Sequence, residues 1–209
     1  MSHYLIPGLL GPDAASGLLN YAIANEARFQ ETTVGTDARV KHTARRSRLL
    51  TDIGPYRDMI EKRVAKAVPE LIDRLGLTPF QATGFEVELV AHGDGAFYRR
   101  HIDVFTGSDR APGDAAADRL ISLVYYLHRE PKGFSGGELR LYPQIRPTDI
   151  SPEGGIDVVP QHDMAVAFSS WLPHEVRAVT CPTGQFGDAR FAVNCWVLRQ
   201  RAASSQSAK

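Results

Sequence analysis

From Phe85 onward the chain is punctuated too often to hold helices. Phe85 to Val90 alternates apolar and polar residues, the period of a strand with one buried face. Leu120 to Leu127, Leu139 to Tyr142, Ile156 to Val159, Met164 to Phe168, Glu175 to Val179 and Phe191 to Leu198 follow as short apolar runs. Glycine, proline and polar turns separate them, and residues 106–118 read as a loop by composition. At least seven short strands in sequence restrict this half of the chain to a β-sandwich or barrel.

His101 and Asp103 lie within this series, two residues apart. On an extended strand such residues point to the same face, so an imidazole and a carboxylate converge from one strand end. A second imidazole, His174, arrives much later, in Pro173-His174-Glu175. Two histidines and one carboxylate bound to one face of an octahedron leave positions open, which is the ligand set of non-haem Fe(II) oxygenases. His-x-Asp alone is a weak signal, because most such pairs are structural or exposed. Arg190 opens a late apolar run and offers a planar fork that meets a carboxylate through two hydrogen bonds. Arg177 competes for that role, but three residues from His174 on a strand it points to the other face.

Around these residues stand Gly93-Asp-Gly-Ala-Phe-Tyr98, Leu123-Val-Tyr-Tyr126-Leu and Gly136-Gly-Glu-Leu-Arg140. Val166-Ala-Phe168, Trp171-Leu-Pro-His174-Glu-Val176 and Arg190-Phe-Ala-Val-Asn-Cys-Trp196 complete the set. In order and wording these motifs resemble the prolyl 4-hydroxylase branch of the 2-oxoglutarate, Fe(II)-dependent dioxygenases, with particular similarity to the hypoxia-factor prolyl hydroxylases. The resemblance covers residues 84–199. It implies a double-stranded β-helix, or distorted jelly roll, as the catalytic core, with residues 1–80 as helical support in a single domain spanning 1–209. It implies Fe(II) held by His101, Asp103 and His174. Arg190 would take the distal carboxylate of 2-oxoglutarate, with Tyr126 beside it and Tyr98 lining the site. The implied reaction hydroxylates an unactivated C–H with O2, releasing succinate and CO2, with L-ascorbate as the reductant that restores the iron. The implied substrate is a prolyl residue of a peptide or protein, or another amino-acid-like molecule.

This chain departs from the pattern of the resembling hydroxylases in two places. Extra residues, Cys181-Pro-Thr-Gly-Gln-Phe-Gly-Asp, separate His174 from Arg190. Ala91-His92 stands where some relatives carry a tyrosine that contacts the co-substrate, so either His92 substitutes or the contact is missing. Alternation from Arg190 puts Ala192, Asn194 and Trp196 on its face, where Trp196 either walls the substrate pocket or packs in the core. His162-Asp163 falls in a turn without motif support and reads as structural. Gly136-Gly137 reads as a tight turn. Arg99 and Arg100 either meet an acidic substrate or are solvated. Three other functions compete: a small-molecule or free amino-acid oxygenase, a non-catalytic jelly-roll binding protein, and a divalent-metal hydrolase.

The N-terminal part has another grammar. His3 to Leu10 reads as an edge strand, and Asp13 as the N-cap of a helix carrying Leu18, Leu19, Ala22 and Ile23 on one face. Tyr56, Met59, Ile60, Val64, Val68, Leu71, Ile72 and Leu75 form a second helical stripe, which Pro69 is expected to kink or break. Residues 30–48 are polar and basic, and read either as a solvated loop or as a flap over the site. Net charge is zero over 209 residues, which gives no pull toward nucleic acid or a membrane surface. No apolar run approaches the roughly 18 residues a spanning helix needs. Two cysteines make no disulfide framework, and the N-terminus lacks the pattern of a signal peptide, so the expectation is a cytoplasmic protein with reduced thiols.

Overall fold

The computed structural model describes residues 2–32, 44–104, 117–143 and 154–200. Two helices, α1 (Pro12–Ala24) and α2 (Tyr56–Leu75), precede most of the strands. The strands are β1 (His3–Pro7), β2 (Gln30–Glu31), β3 (Arg45–Arg46), β4 (Arg48–Leu50), β5 (Gly84–His92), β6 (Phe97–His101) and β7 (Ala117–Leu127). After them come β8 (Ser135–Gly136), β9 (Leu139–Leu141), β10 (Ile156–Val158), β11 (Met164–Ser169), β12 (His174–Val176), β13 (Val179–Thr180) and β14 (Arg190–Gln200).

Among the described residues these strands form an antiparallel seven-stranded sheet, β1-β11-β7-β14-β5-β4-β2, and a five-stranded sheet, β10-β9-β12-β6-β3, with β8 and β13 paired separately. The fold is a double-stranded β-helix, a mainly β architecture with flanking helices. Alternation along the long strands decides what each sheet face meets. Ile121, Leu123, Tyr125 and Leu127 of β7 join Phe191, Val193, Cys195 and Val197 of β14 in a core shared with α1 and α2. The intervening residues Val124, Tyr126 and Ala192 face the other way and pack with Leu139, Leu141, Val158 and Val176 of the smaller sheet. The site therefore lies between two sheets, and the helices back the larger one from outside.

α2 buries Ile60, Val64, Val68, Leu71 and Leu75, spaced to fall on one stripe. Of the two outcomes expected at Pro69, a kink or a break, the break does not occur, and the helix runs through it. Pro69 is exposed, so the carbonyl it leaves unpaired faces solvent, which lowers the cost of the lost bond. Asp13 does not cap α1. Gly11 is the N-cap and Pro12 opens the first turn, where Asp13 adds a favourable negative charge. Asp163 serves this corner instead, accepting from the Leu10 amide and from the Tyr125 hydroxyl. His162-Asp163 is thus structural.

The solvated-loop reading of residues 30–48 fails where the structure describes them. Arg45 is buried on β3 and paired to Tyr98, and after Ser47 the chain crosses from the smaller sheet into the larger one as β4. Of the flap expected over residues 30–48, residues 33–43 lie outside the described residues, as do most of the loop at 106–118 and the C-terminal tail. Among the described residues, no helix is long and apolar enough to cross a membrane. Cys181 and Cys195 are both free and buried, in different clusters.

Candidate active site

β6 ends at His101, and Asp103 follows it with its amide donating to the Ser170 carbonyl. β12 begins at His174 and pairs antiparallel with β6, with His174 directly opposite His101. Strand pairing thus joins residues that are far apart in sequence. One ligand atom from each of His101, Asp103 and His174 lies within 4.8 Å of the others. His101 Nε2 is 3.5 Å from Asp103 Oδ1, and His174 Nε2 is 3.5 Å from Asp103 Oδ2.

Both rings are held by the same device. His101 Nδ1 lies 2.8 Å from the Arg99 carbonyl, and His174 Nδ1 lies 2.8 Å from the Leu172 carbonyl. A carbonyl only accepts, so each Nδ1 carries a proton, and each Nε2 is the ring atom turned toward the carboxylate. Burial pushes His174 down to about 4, and it is neutral at physiological pH. Burial works to raise Asp103, but the charge that a facing His174 or His101 ring carries when protonated, together with hydrogen bonds from His101 and the Ser122 hydroxyl, outweighs it and holds the carboxyl well below the usual carboxylate range. Ser122 donates to Asp103 Oδ2 at 2.6 Å, and its oxygen lies 3.0 Å from the Ser170 hydroxyl. Tyr98 stacks on His101 with ring centroids 3.6 Å apart, and Phe168 meets His174 edge-on. Two imidazole nitrogens and one carboxylate converge here with their outer ring nitrogens already anchored, so the donor set fits a divalent metal.

A cavity of about 170 Å³ runs from this cluster to Arg190. Arg190 is 1 % exposed, the largest of the fully buried side chains. Its Nε donates to the Gly137 carbonyl at 2.7 Å, and its Nη1 lies 3.3 Å from His92 Nδ1. Its guanidinium carbon stands 5.1 Å from the Tyr126 ring centroid. Gly137 has φ +69°, and a Cβ there would meet Arg190 Cδ at 2.6 Å, so the Gly136-Gly137 turn shapes the arginine's berth. His92 Nε2, Arg190 Nη2 and Tyr126 Oη make no well-formed hydrogen bond among the described residues, although the Arg190 guanidinium and the Tyr126 hydroxyl lie close enough to act on each other. Burial pushes the Tyr126 hydroxyl up to about 12, with Arg190 pulling the other way, so it stays protonated. A buried cation with unpaired donors beside it costs free energy unless an anion completes it. A carboxylate fits that need. Arg177 is exposed, and its backbone amide donates to the Glu138 carbonyl.

At the same cavity stand Arg45, Glu88, Arg119, Asn194 and Trp196. Asn194 donates to Glu88 at 3.0 Å, Arg45 stacks over Tyr98 at 4.7 Å, and Arg119 bonds Glu86 and covers the Trp196 ring at 3.9 Å. Alternation from Arg190 foretold Asn194 and Trp196 on this face. Ser122 and Glu88 were legible by the same alternation, from Tyr126 and His92. Arg45 had no signal, because it is buried in a basic stretch that looks solvated.

Residues 87–198, over half of the chain, match the 2OG-Fe(II) oxygenase superfamily. An uncharacterized PKHD-type hydroxylase of Synechocystis is 33% identical over 199 residues, or 93% of this chain, and the match spans 62% of that relative's length. A prolyl-4-hydroxylase from Pseudomonas putida superposes with a TM-score of 0.66 at 23% identity, over 96% of this chain and 94% of that one. A prolyl hydroxylase from Trichoplax adhaerens, in complex with a hypoxia inducible factor peptide fragment, superposes at 0.65 with 22% identity, over 95% and 84%. The family match extends from β5 to β14 and takes in His101, Asp103, His174 and Arg190, and on it the chain belongs to the 2OG-Fe(II) oxygenase superfamily.

Proposed function

We propose that this chain is an Fe(II)- and 2-oxoglutarate-dependent dioxygenase that hydroxylates an unactivated C–H of a prolyl residue or amino-acid-like substrate. One observation carries the reading: both histidines are anchored through Nδ1 to backbone carbonyls with Nε2 turned toward the Asp103 carboxylate, in a cavity that also reaches a buried arginine. His101, Asp103 and His174 would hold the iron, and Arg190 and Tyr126 the distal carboxylate of 2-oxoglutarate. The bound metal and co-substrate would supply the oxidising chemistry, with succinate and CO2 released and L-ascorbate restoring ferrous iron.

The protein's share is placement and exclusion of water. The Arg99 and Leu172 carbonyls keep the Nδ1 protons and leave Nε2 free to bind. Ser122 fixes the Asp103 carboxylate, and Tyr98 and Phe168 shield the two rings. Arg45, Glu88, Asn194, Arg119 and Trp196 form the substrate's end of the cavity. The likeness to an enzyme solved with a peptide puts prolyl peptides first for screening. We place residues 84–199 as the catalytic core, 1–80 as its support, and the protein in the cytoplasm, in keeping with two free thiols.

The test is anaerobic. Fe(II) and then 2-oxoglutarate are added to the purified protein, and the visible charge-transfer band of the chelated keto acid is followed. The band is expected in the wild type, lost in His174→Ala, and shifted to far higher 2-oxoglutarate in Arg190→Ala. A wild type that binds iron without the band refutes the reading and favours a binding protein.

A further inference from the structure

Glu88 and Asn194 face each other across β5 and β14, two inward positions along from His92 and Arg190. The next inward residue of β14, Trp196, pairs with Ser122, which holds Asp103. Glu88 therefore lines the cavity beside the metal-ligand cluster rather than at Arg190. Its side chain is 18% exposed, and both of its neighbours act on one oxygen. Asn194 Nδ2 donates to Oε1 at 3.0 Å, and Arg45 Nη2 lies 3.6 Å from the same atom. Among the described residues Oε2 accepts no hydrogen bond. Arg45 makes its short hydrogen bond elsewhere, from Nε to Ser47 at 2.9 Å, and lays its guanidinium over Tyr98. Glu88 and Arg45 thus form a loose ion pair, with opposite charges side by side on the cavity wall. The other charges there are engaged: Arg119 bonds Glu86, and in the function proposed above Asp103 serves the metal and Arg190 the co-substrate.

We propose that Glu88 is the specificity-determining residue at the substrate's end, and that the substrate is a free α-amino acid whose ammonium donates to Glu88 Oε2 while its carboxylate meets Arg45. This rests on the oxygenase reading of the cavity, and it selects between the two substrate classes named there. An internal prolyl residue has no N–H and no charge, so it would seal Glu88 from water without supplying a donor. A carboxylate buried without a partner costs far more than one that is bonded. A zwitterion carries a cation and an anion on one carbon, which matches the loose pair. Its net charge of zero suits a cavity whose other charges are already matched. Asn194 holds Oε1 in place and leaves Oε2 to the ligand.

The test is isothermal titration calorimetry on the full-length protein loaded anaerobically with Fe(II) and 2-oxoglutarate. The probes are the standard amino acids, each free, N-acetylated and as the C-terminal amide, and the capped peptide acetyl-Ala-Pro-Ala-amide. Expected is at least one free amino acid that binds roughly ten- to hundredfold tighter than its N-acetyl form, the size of one hydrogen bond to a charged group, with its amide weakened as well. Glu88→Gln keeps the shape and removes the charge. It is expected to bring that amino acid to within roughly threefold of its N-acetyl form. Titration of the variant with 2-oxoglutarate, followed by the charge-transfer band, is expected to match the wild type and shows that the cavity is folded. If the variant shows no band, the wild-type comparison of free and blocked ligands decides alone. Tighter binding of the capped peptide than of every free amino acid overturns the proposal. So does equal binding of the free acid and either blocked form, no binding of any free amino acid, or a folded Glu88→Gln protein that keeps the full preference. A wild type without the band sinks the oxygenase reading beneath it as well.

Discussion

Gly137→Ala separates the cost of a left-handed backbone from the cost of crowding the buried arginine. Gly137 has φ +69°, and a methyl there would lie 2.6 Å from Arg190 Cδ and 2.9 Å from Val179 Cγ2. Gly184 has a similar φ, +62°, with nothing within 4 Å of an added Cβ. Gly184→Ala therefore carries the backbone strain alone, about 1–2 kcal/mol. Gly137→Ala adds overpacking, about 1–3 kcal/mol in a filled core, for a total of about 2–5 kcal/mol. Urea unfolding of the metal-free proteins measures both. The crowding also displaces the side chain whose Nε donates to Gly137 itself. Gly137→Ala is thus expected to weaken 2-oxoglutarate binding by roughly tenfold or more, while Gly184→Ala leaves it unchanged. Equal destabilisation by the two substitutions, with 2-oxoglutarate affinity unmoved in both, would refute the claim that this glycine shapes the arginine's berth.

Acid destabilises the metal-free protein in a defined window. His174 titrates near 4 in the fold and near 6.5 unfolded, so between those values the unfolded chain binds more protons. Stability is level above about 6.5, falls as pH drops toward about 4, and levels again for this group below it; His92, also held down by burial, acts in the same direction. A urea midpoint that does not change between pH 6.5 and 5 contradicts this. Both cysteines are buried, and burial pushes the Cys195 thiol up to about 12, so native protein resists thiol-specific reagents and denatured protein reacts at both; rapid native labelling of Cys195 speaks against its burial. Leu71→Ala on α2, where the side chain is fully buried, costs about 2–5 kcal/mol of stability, whereas Trp171→Ala at a half-exposed site stays within about 0.5 kcal/mol; denaturant titration compares them directly.

The strand series was legible because alternation is a property of neighbours in sequence. The same alternation placed Arg190, Asn194 and Trp196 on one face of β14, and the structure puts all three at the cavity. Pairing between strands is not local, and it is pairing that brings His174 opposite His101 and His92 opposite Arg190. From the sequence, those residues were grouped by motif order. Capping at α1 was misread because Asp13 has the residue type of an N-cap, while the chain uses Gly11 and takes its carboxylate from Asp163, far along the sequence. Sequence alone leaves a kink and a break both open at Pro69, because proline's effect depends on which face of the helix loses its bond.

Arg45 shows why a basic stretch is the hardest part to read. Its neighbours Arg46 and Arg48 are exposed or half-buried, yet Arg45 is 9% exposed, with its Nε donating to the Ser47 hydroxyl and its guanidinium over Tyr98. One position along a strand changes which face a residue takes, so a run of like charges on a strand splits between solvent and interior. Burying a guanidinium requires partners, and these come from elsewhere in the chain: Glu88 from β5, at 3.6 Å, and the Tyr98 ring from β6. Composition averages over both faces and so reports the solvated ones. The residues that face inward, and with them the chemistry of the cavity, are fixed by the crossing of the chain between sheets at Ser47, a feature of the pairing of β3 with β6 and of β4 with β5.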